Sequence, residues 1–397
     1  MKKKLVVILV SLFVVVILAI LLAITLFNQK TDSPKIEDKN KNNNSSEIDV
    51  VEEDYSSYLF GNYYKEARNI TKNMTIEEKV GQLFLVRYDN NLVDSYIKNY
   101  YAGGFVLFAK DFQNHTKESI KKELENHLKN SKYPLTYAVD EEGGYVTRVS
   151  RFSNFRESKF LSPKEYYNQG SFDLLESTER EKAQLLLSLG INLNLAPVAD
   201  ISTNPDDFIY IRSFGHDAQQ TAQYIKNMVS YANSEGISSC LKHFPGYGNN
   251  IDTHTGVAID ERAYSNFTEN DYLPFISGIE EKVPTILVSH NVINAIDPEY
   301  PSSLSKKVIT GELKEKLNFS GIVITDDLDM DAVKSYAENG NAATLAINAG
   351  ADLIITSDFI NMYKEIINGV ENKTIEIENI DESVTKIIAW KKAYGLF

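Results

Sequence analysis

GIVITDDLDM, residues 321–330, is a short β-branched run that ends in two adjacent aspartates. Working outward from it, the same kind of apolar run recurs along the chain. GQLFLVRY (81–88), GGFVLFA (103–109), PLTYAVD (134–140), INLNLAPV (191–198), SSCLKHF (238–244), TILVSH (285–290) and ADLIITS (351–357) bring the number to eight. Amphipathic stretches separate most of them, as at 119–130, 176–190, 218–236 and 306–320. Several of these end in glycine just before the next apolar run, the position of a helix C-cap. Near-continuous apolar strands alternating with helices predict a parallel sheet covered on both faces. Eight such units predict an α/β fold, a single (β/α)8 TIM-type barrel. An open doubly wound sheet is the competing arrangement, but no G-x-G-x-x-G follows the first strand, which removes its dinucleotide-binding form.

The N-terminus carries a different signal. Leu5 to Phe27 is apolar apart from Ser11 and Thr25, and Lys2, Lys3 and Lys4 precede it. As a helix it would span about 35 Å, enough for a hydrocarbon core. The positive-inside bias then predicts a cytoplasmic stub, a transmembrane anchor and an extracytoplasmic remainder. A cleaved signal peptide is the alternative. The expected organisation is stub and anchor over 1–27, a disordered polar tether over 28–58, and a barrel domain over 59–397. The net charge of −14 disfavours nucleic acid as a partner. Cys240 is the only cysteine, which excludes an intrachain disulfide and a multi-thiolate zinc site. It is expected to pack in the core.

Polar residues gather at the C-terminal ends of the strands, where barrels carry their active sites. They are Asp140, Lys242, His243, His290 and Asp326, with Asp200 just beyond the fourth strand. Neighbouring strand residues alternate in direction, so one of Asp326 and Asp327 should face the barrel mouth. Asp326 is the expected one, with Asp327 capping the next helix or pairing with a neighbouring strand. A mouth-facing carboxylate suits a nucleophile that forms and loses an ester. After the fifth strand, KHFPGYGNNIDTHTG (242–256) is a glycine-rich loop holding Asp252 and His254 two residues apart. An aspartate bonded to one ring nitrogen fixes the tautomer and raises the basicity of the other, which suits an acid/base. The same pair could instead serve loop stability, or ligate zinc together with His243. Arg148 can grip sugar hydroxyls through its fork of donors, or pair with nearby acids. Arg212 can do the same or brace Asp200.

Read together, EKVGQLFLV, VDEEGGYVTRV, LGINLNLAPVADI, RSFG, LKHFPGYGNNIDTHTG and GIVITDDLDM resemble glycoside hydrolase family 3, in its NagZ-like β-N-acetylhexosaminidase branch. The similarity runs from about residue 70 to the C-terminus. The resemblance implies a retaining exo-β-N-acetylglucosaminidase acting on terminal β-linked N-acetylglucosamine of peptidoglycan fragments. It implies Asp326 as nucleophile and His254, steered by Asp252, as acid/base. It implies that Arg148, Lys242 and His243 hold the N-acetylglucosamine; Asp140 and Arg212 are further candidate substrate-binding residues. Two departures stand out. Tyr247 replaces the usual second histidine of the loop, which predicts altered loop packing. Asn114 stands where relatives carry an acid that binds a sugar hydroxyl, so it is expected to bond without charge. A phosphorylase and an inactive, tethered sugar-binding protein are the alternative functions. The expected partners are N-acetylglucosamine-containing saccharides or muropeptides, and the lipid bilayer through residues 5–27. No metal or organic cofactor is expected. The catalytic domain is expected to be monomeric, on the outer face of a Gram-positive cell membrane.

Overall fold

The protein is described by a computed structural model over residues 54–250, 256–337 and 340–397. Each of the eight apolar runs contains one strand of a parallel barrel. These are β1 (Phe84–Arg87), β2 (Gly104–Leu107), β3 (Thr136–Val139), β4 (Leu193–Asn194), β5 (Ser238–Phe244), β7 (Thr285–Val288), β9 (Ile322–Thr325) and β10 (Ile354–Thr356). The order β10-β1-β2-β3-β4-β5-β7-β9 is continuous, and a parallel bridge between Ile324 and Leu353 completes the ring. The remaining strands, β6 (Ile259–Asp260) and β8 (Val292–Ile293), form a separate two-stranded ribbon above it.

The strands are buried on both faces, as at β2, β3, β7 and β9. That double burial is why they read as unbroken apolar runs. β4 is short because Pro197 has no N–H to donate, and the ladder resumes at a bridge between Val198 and Lys242. Local chemistry sets the helix ends. Asp217 caps the helix Ala218–Glu235 by accepting the Gln220 N–H, and Gly236 ends it at φ 78°. The helix expected over 176–190 begins earlier, at Pro163. Ser162 and Glu165 form a capping box there, with Pro163 at the first helical position. A break at Gly170–Ser171 divides it. The stretch expected as a helix over 306–320 winds as a π-helix over Lys307–Lys316.

One expectation is corrected. Among the described residues no helix is long and apolar enough to cross a membrane. The longest, Pro163–Ser188, carries Lys164, Glu165, Asp173, Glu176, Glu179, Arg180, Glu181 and Lys182, charges that hydrocarbon would not accept. The transmembrane helix is therefore withdrawn from the fold. With it go the bilayer as a partner and the single-pass, outer-face membrane placement. Residues 5–27, on which those expectations rested, lie outside the described residues, as does most of the tether.

The bottom of the barrel is closed by the C-terminal helix Ile377–Ala393. Its Lys391 is buried and donates to Gln82 Oε1, the Gly103 carbonyl and the Pro134 carbonyl at 2.9, 2.8 and 2.7 Å. Those oxygens precede β1, β2 and β3, so one ammonium ties three strand starts together. Trp390 Nε1 donates to Ser238 Oγ at the start of β5, at 3.0 Å. Asp352 closes the other side. It accepts the Val323 N–H at 2.9 Å and pairs with Lys386 at 2.9 Å and Lys314 at 3.5 Å. Burial would raise its pKa, but Lys314 and Lys386 outweigh that and hold it below the usual aspartate value. Asp352→Ala would leave the buried Lys386 and the half-buried Lys314 without their carboxylate. We expect it to cost about 3–5 kcal/mol in urea unfolding, with the opposite face of the barrel unaltered.

Candidate active site

A cavity of about 560 Å³ opens at the C-terminal ends of the strands. Asp140, Glu142, Arg148, Arg212, Lys242, His243 and Asp326 all line it. They come from the ends of β3, β5 and β9 and from the loops after β3 and β4.

Glu142 sits at the centre. Its carboxylate is buried and accepts from Arg212 Nε and Nη2 at 3.1 and 2.7 Å, and it pairs with Lys242 Nζ at 2.7 Å. Burial disfavours the charged form, yet Arg212 and Lys242 hold its pKa well below the usual carboxylate range. Lys242 also donates to Asp140 at 2.6 Å. Burial pushes the Lys242 ammonium down, but Asp140 and Glu142 outweigh it, and its pKa lies above the ordinary lysine value. Arg148 lies 3.8 Å from Asp140, and its buried Nε has no partner among the described residues. Asp140 and Arg148 thus bring an acceptor and a fork of donors to one wall, the pairing that a ring of hydroxyls needs.

Asp326 and Asp327 both line the cavity and differ in their partners. Asp326 lines the cavity, with Oδ1 accepting the Asp327 N–H at 2.8 Å. Asp327 turns to the neighbouring strand. Its Oδ1 accepts the Ser357 N–H at 3.1 Å, and its Oδ2 accepts the Ser357 hydroxyl at 2.6 Å. His290 is buried behind this corner. Its Nε2 lies 3.0 Å from the Asp327 carbonyl and its Nδ1 2.7 Å from Ser303 Oγ. It braces the turn after β9 rather than facing the cavity directly.

On the β5 side, Asp200 organises the start of the glycine-rich loop. Its Oδ2 accepts from His243 N and lies 2.7 Å from His243 Nδ1, and its Oδ1 accepts the Tyr247 N–H at 2.8 Å. Arg212 Nη2 lies 3.2 Å from His243 Nε2. Donation from Nδ1–H to Asp200 and acceptance at Nε2 from Arg212 is the tautomer these neighbours require. Arg212 therefore braces Glu142 and His243, and Asp200 is held by His243 instead. Tyr247 is buried against His243 and Phe208, at ring centroids of 5.1 and 5.9 Å. Gly246 and Gly248 adopt positive φ where a Cβ would strike Asp271 and Arg262. Asp252 and His254 lie outside the described residues. Among the described residues, no group of three or more His, Cys, Asp or Glu could hold a metal ion.

Asn114 is not brought to the cavity; it is exposed, in the turn after β2. Reading the sequence also passed over several residues that do line it. Glu142 is one of two adjacent glutamates before the Gly143–Gly144 turn, and nothing in the sequence sets it apart from Glu141. Its neighbour Glu141 has a different task, accepting the N–H groups of Arg148, Val149 and Ser150 at 2.7, 2.7 and 3.2 Å. Arg87 ends β1 with its guanidinium 4.4 Å from the Phe108 ring, at the cavity wall. Tyr145, Phe208 and Ile211 form part of the rim. Cys240 is buried, as expected, and burial pushes its thiol up to about 12.

Comparison with known proteins agrees with this geometry. Residues 75–390 match the glycosyl hydrolase family 3 N terminal domain. Beta-hexosaminidase A of Pseudoalteromonas piscicida is 28% identical over 326 residues, covering 74% of this chain and 54% of that protein. The chain thus spans about half the length of that relative. A beta-hexosaminidase of Nitrosomonas eutropha is 29% identical over 273 residues, covering 68% of this chain and 78% of its own. Among solved structures, a glycoside hydrolase family 3 beta-N-acetylglucosaminidase from Paenibacillus superposes with a TM-score of 0.76 at 27% identity, over 81% of this chain and 63% of that one. With the family domain matched along most of its length, and an aspartate at a strand end in the cavity, the chain belongs to glycoside hydrolase family 3, in its β-hexosaminidase-like branch.

Proposed function

We propose that the protein is a retaining exo-β-N-acetylglucosaminidase, releasing terminal β-linked N-acetylglucosamine from peptidoglycan fragments through a covalent glycosyl-enzyme. The observation that carries this reading is the placement of Asp326 in a cavity walled by Asp140, Arg148 and Lys242. A cavity of about 560 Å³ is of the size that receives small ligands. The Glu142–Arg212–Lys242 cluster fixes part of its lining.

In this mechanism Asp140, Arg148, Lys242 and His243 hold the terminal sugar. The Asp326 carboxylate attacks C1, forming a C–O ester bond while the glycosidic C–O bond breaks. His254, steered by Asp252, gives its proton to the departing oxygen. The same imidazole then takes a proton from water, which displaces Asp326 from C1. Two inversions leave the sugar with its original configuration. The relatives named for hexosaminidase and N-acetylglucosaminidase activity support the sugar, and the sequence resemblance supports the peptidoglycan class.

Asp326→Ala should lower turnover of a nitrophenyl N-acetylglucosaminide by more than about a thousandfold, with N-acetylglucosamine binding kept within a few-fold. Unchanged turnover would end the nucleophile assignment. His254→Ala should slow an alkyl glycoside by about a hundredfold or more and a nitrophenyl glycoside much less, because the latter leaves without a proton. Equal effects on both would remove the acid role. Product analysis with and without phosphate separates hydrolysis from phosphorolysis. Glu142→Gln should raise KM and destabilise the fold by about 3–5 kcal/mol, since Arg212 and Lys242 stay buried with one charge less to meet. Its pH signature has a definite sign. The native Glu142 pKa is depressed, so its stabilisation is present above the ordinary carboxylate pKa of about 4.3 and is lost as pH falls toward the folded value. The Gln variant should lose less stability than the native protein over that acid window, as measured by urea midpoints.

A further inference from the structure

Among the large apolar side chains that the described surface exposes, Tyr145 is the most exposed, at 75%. It lines the catalytic cavity. Ile211, 49% exposed, lines the same cavity from the loop after β4. An exposed aromatic at a cavity mouth costs solvation unless something covers it.

The turn that carries Tyr145 is held firmly. Gly143 N donates to the Val146 carbonyl at 3.0 Å, and Gly144 N to the Phe160 carbonyl at 2.8 Å. Lys159 Nζ donates to the Gly144 carbonyl at 2.9 Å. Gly143 and Gly144 take φ of 99° and 63°, and a Cβ on either would strike the Leu161–Ser162 backbone segment or its side chain. Just beyond, Glu141 fixes the backbone of residues 148–150. Thus the tip is rigid while its ring is in solvent. Among the described residues, Tyr145 makes no hydrogen bond and no ring contact. The Ile211 side of the rim is set relative to it by one ion pair, because Arg212 follows Ile211 and binds Glu142, three residues before Tyr145.

We propose that Tyr145, with Ile211 on the same cavity, is a specificity-determining platform for the pyranose ring next to the bond that is cut. A β-linked pyranose presents a flat face of C–H groups, which an aromatic ring covers without asking for a particular hydroxyl pattern. The rigid turn makes the platform ready before substrate arrives, so little ordering entropy opposes stacking. The preferred substrate class is then a disaccharide or longer chain rather than a glycoside with a small alkyl group. This rests on the glycosidase reading, which it extends from the sugar in the pocket to the one outside it.

The test compares N,N′-diacetylchitobiose with methyl β-N-acetylglucosaminide. Tyr145→Ala should lower the ratio of their kcat/KM values, disaccharide over methyl glycoside, by about tenfold. Tyr145→Phe and Tyr145→Trp should restore the ratio to within about twofold, since the ring is kept. A ratio unmoved by Tyr145→Ala, or one that falls as far with Tyr145→Phe, overturns the platform. Calorimetry on the Asp326→Asn protein gives a readout free of turnover. The disaccharide should bind about tenfold tighter than the monosaccharide, and Tyr145→Ala should erase the difference. If the unmodified chain cleaves neither glycoside, the glycosidase reading falls while the binding ratio still decides the platform. Equal binding of the two sugars to the Asp326→Asn protein overturns it.

Discussion

The top of this barrel depends on one buried carboxylate. Glu142 pairs with both Arg212 and Lys242 and so holds two cations side by side at the cavity. Lys242 in turn holds Asp140, and Arg212 holds the His243 ring that Asp200 orients. Removing the carboxylate would therefore loosen residues from β3, from the loop after β4 and from β5 at once. A cluster of this kind adds little net stability, because desolvating the ions offsets much of their attraction. Its contribution is geometric. The donors and acceptors in the cavity are fixed before a sugar arrives, so their reorganisation does not oppose binding.

The two ends of the barrel use buried charge differently. At the base, Lys391 meets only neutral oxygens, and burial pushes its pKa down to about 7. Asp352 there is saturated by Lys386, Lys314 and the Val323 N–H. Those groups face the starts of strands and the C-terminal helix, and they close a space. At the mouth, the buried Arg148 Nε has no partner among the described residues, and Asp140 lines the cavity. At the base the charges hold strand starts and a helix together, whereas at the mouth charged groups line an open cavity.

Much of this was legible in the amino-acid order because the barrel makes local demands. A strand buried on both faces must be apolar throughout, so GFVL, TYAV, TILV and IVIT announce themselves. The strand end that brings Asp326 to the cavity was legible from the apolar run before it, and Tyr247 was noticed through its place in the glycine-rich loop. Glu142 was not legible, because adjacent glutamates look alike until their partners are known. Its partners lie far along the chain, whereas Glu141 turns to backbone only a few residues away. Asn114 was misread toward the site for the converse reason. A polar residue shortly after a strand end can face the mouth or the solvent, and only the path of the turn decides. The apolar N-terminal segment invited a membrane span on hydropathy alone, while the described helices are amphipathic covers for a barrel.

The same distinction bears on where specificity resides. The residues proposed to hold the terminal sugar are tied to one another by ion pairs and hydrogen bonds, so a change at one propagates to several. Tyr145 and Ile211 stand outside that network, although the Arg212–Glu142 pair fixes the elements that carry them. A rim residue of this kind can be exchanged without unpairing a buried charge. Recognition of the sugar inside the pocket is therefore bound to the stability of the barrel mouth. Recognition of what lies outside it is free to vary, which places the adaptable part of the specificity at the rim rather than at the floor.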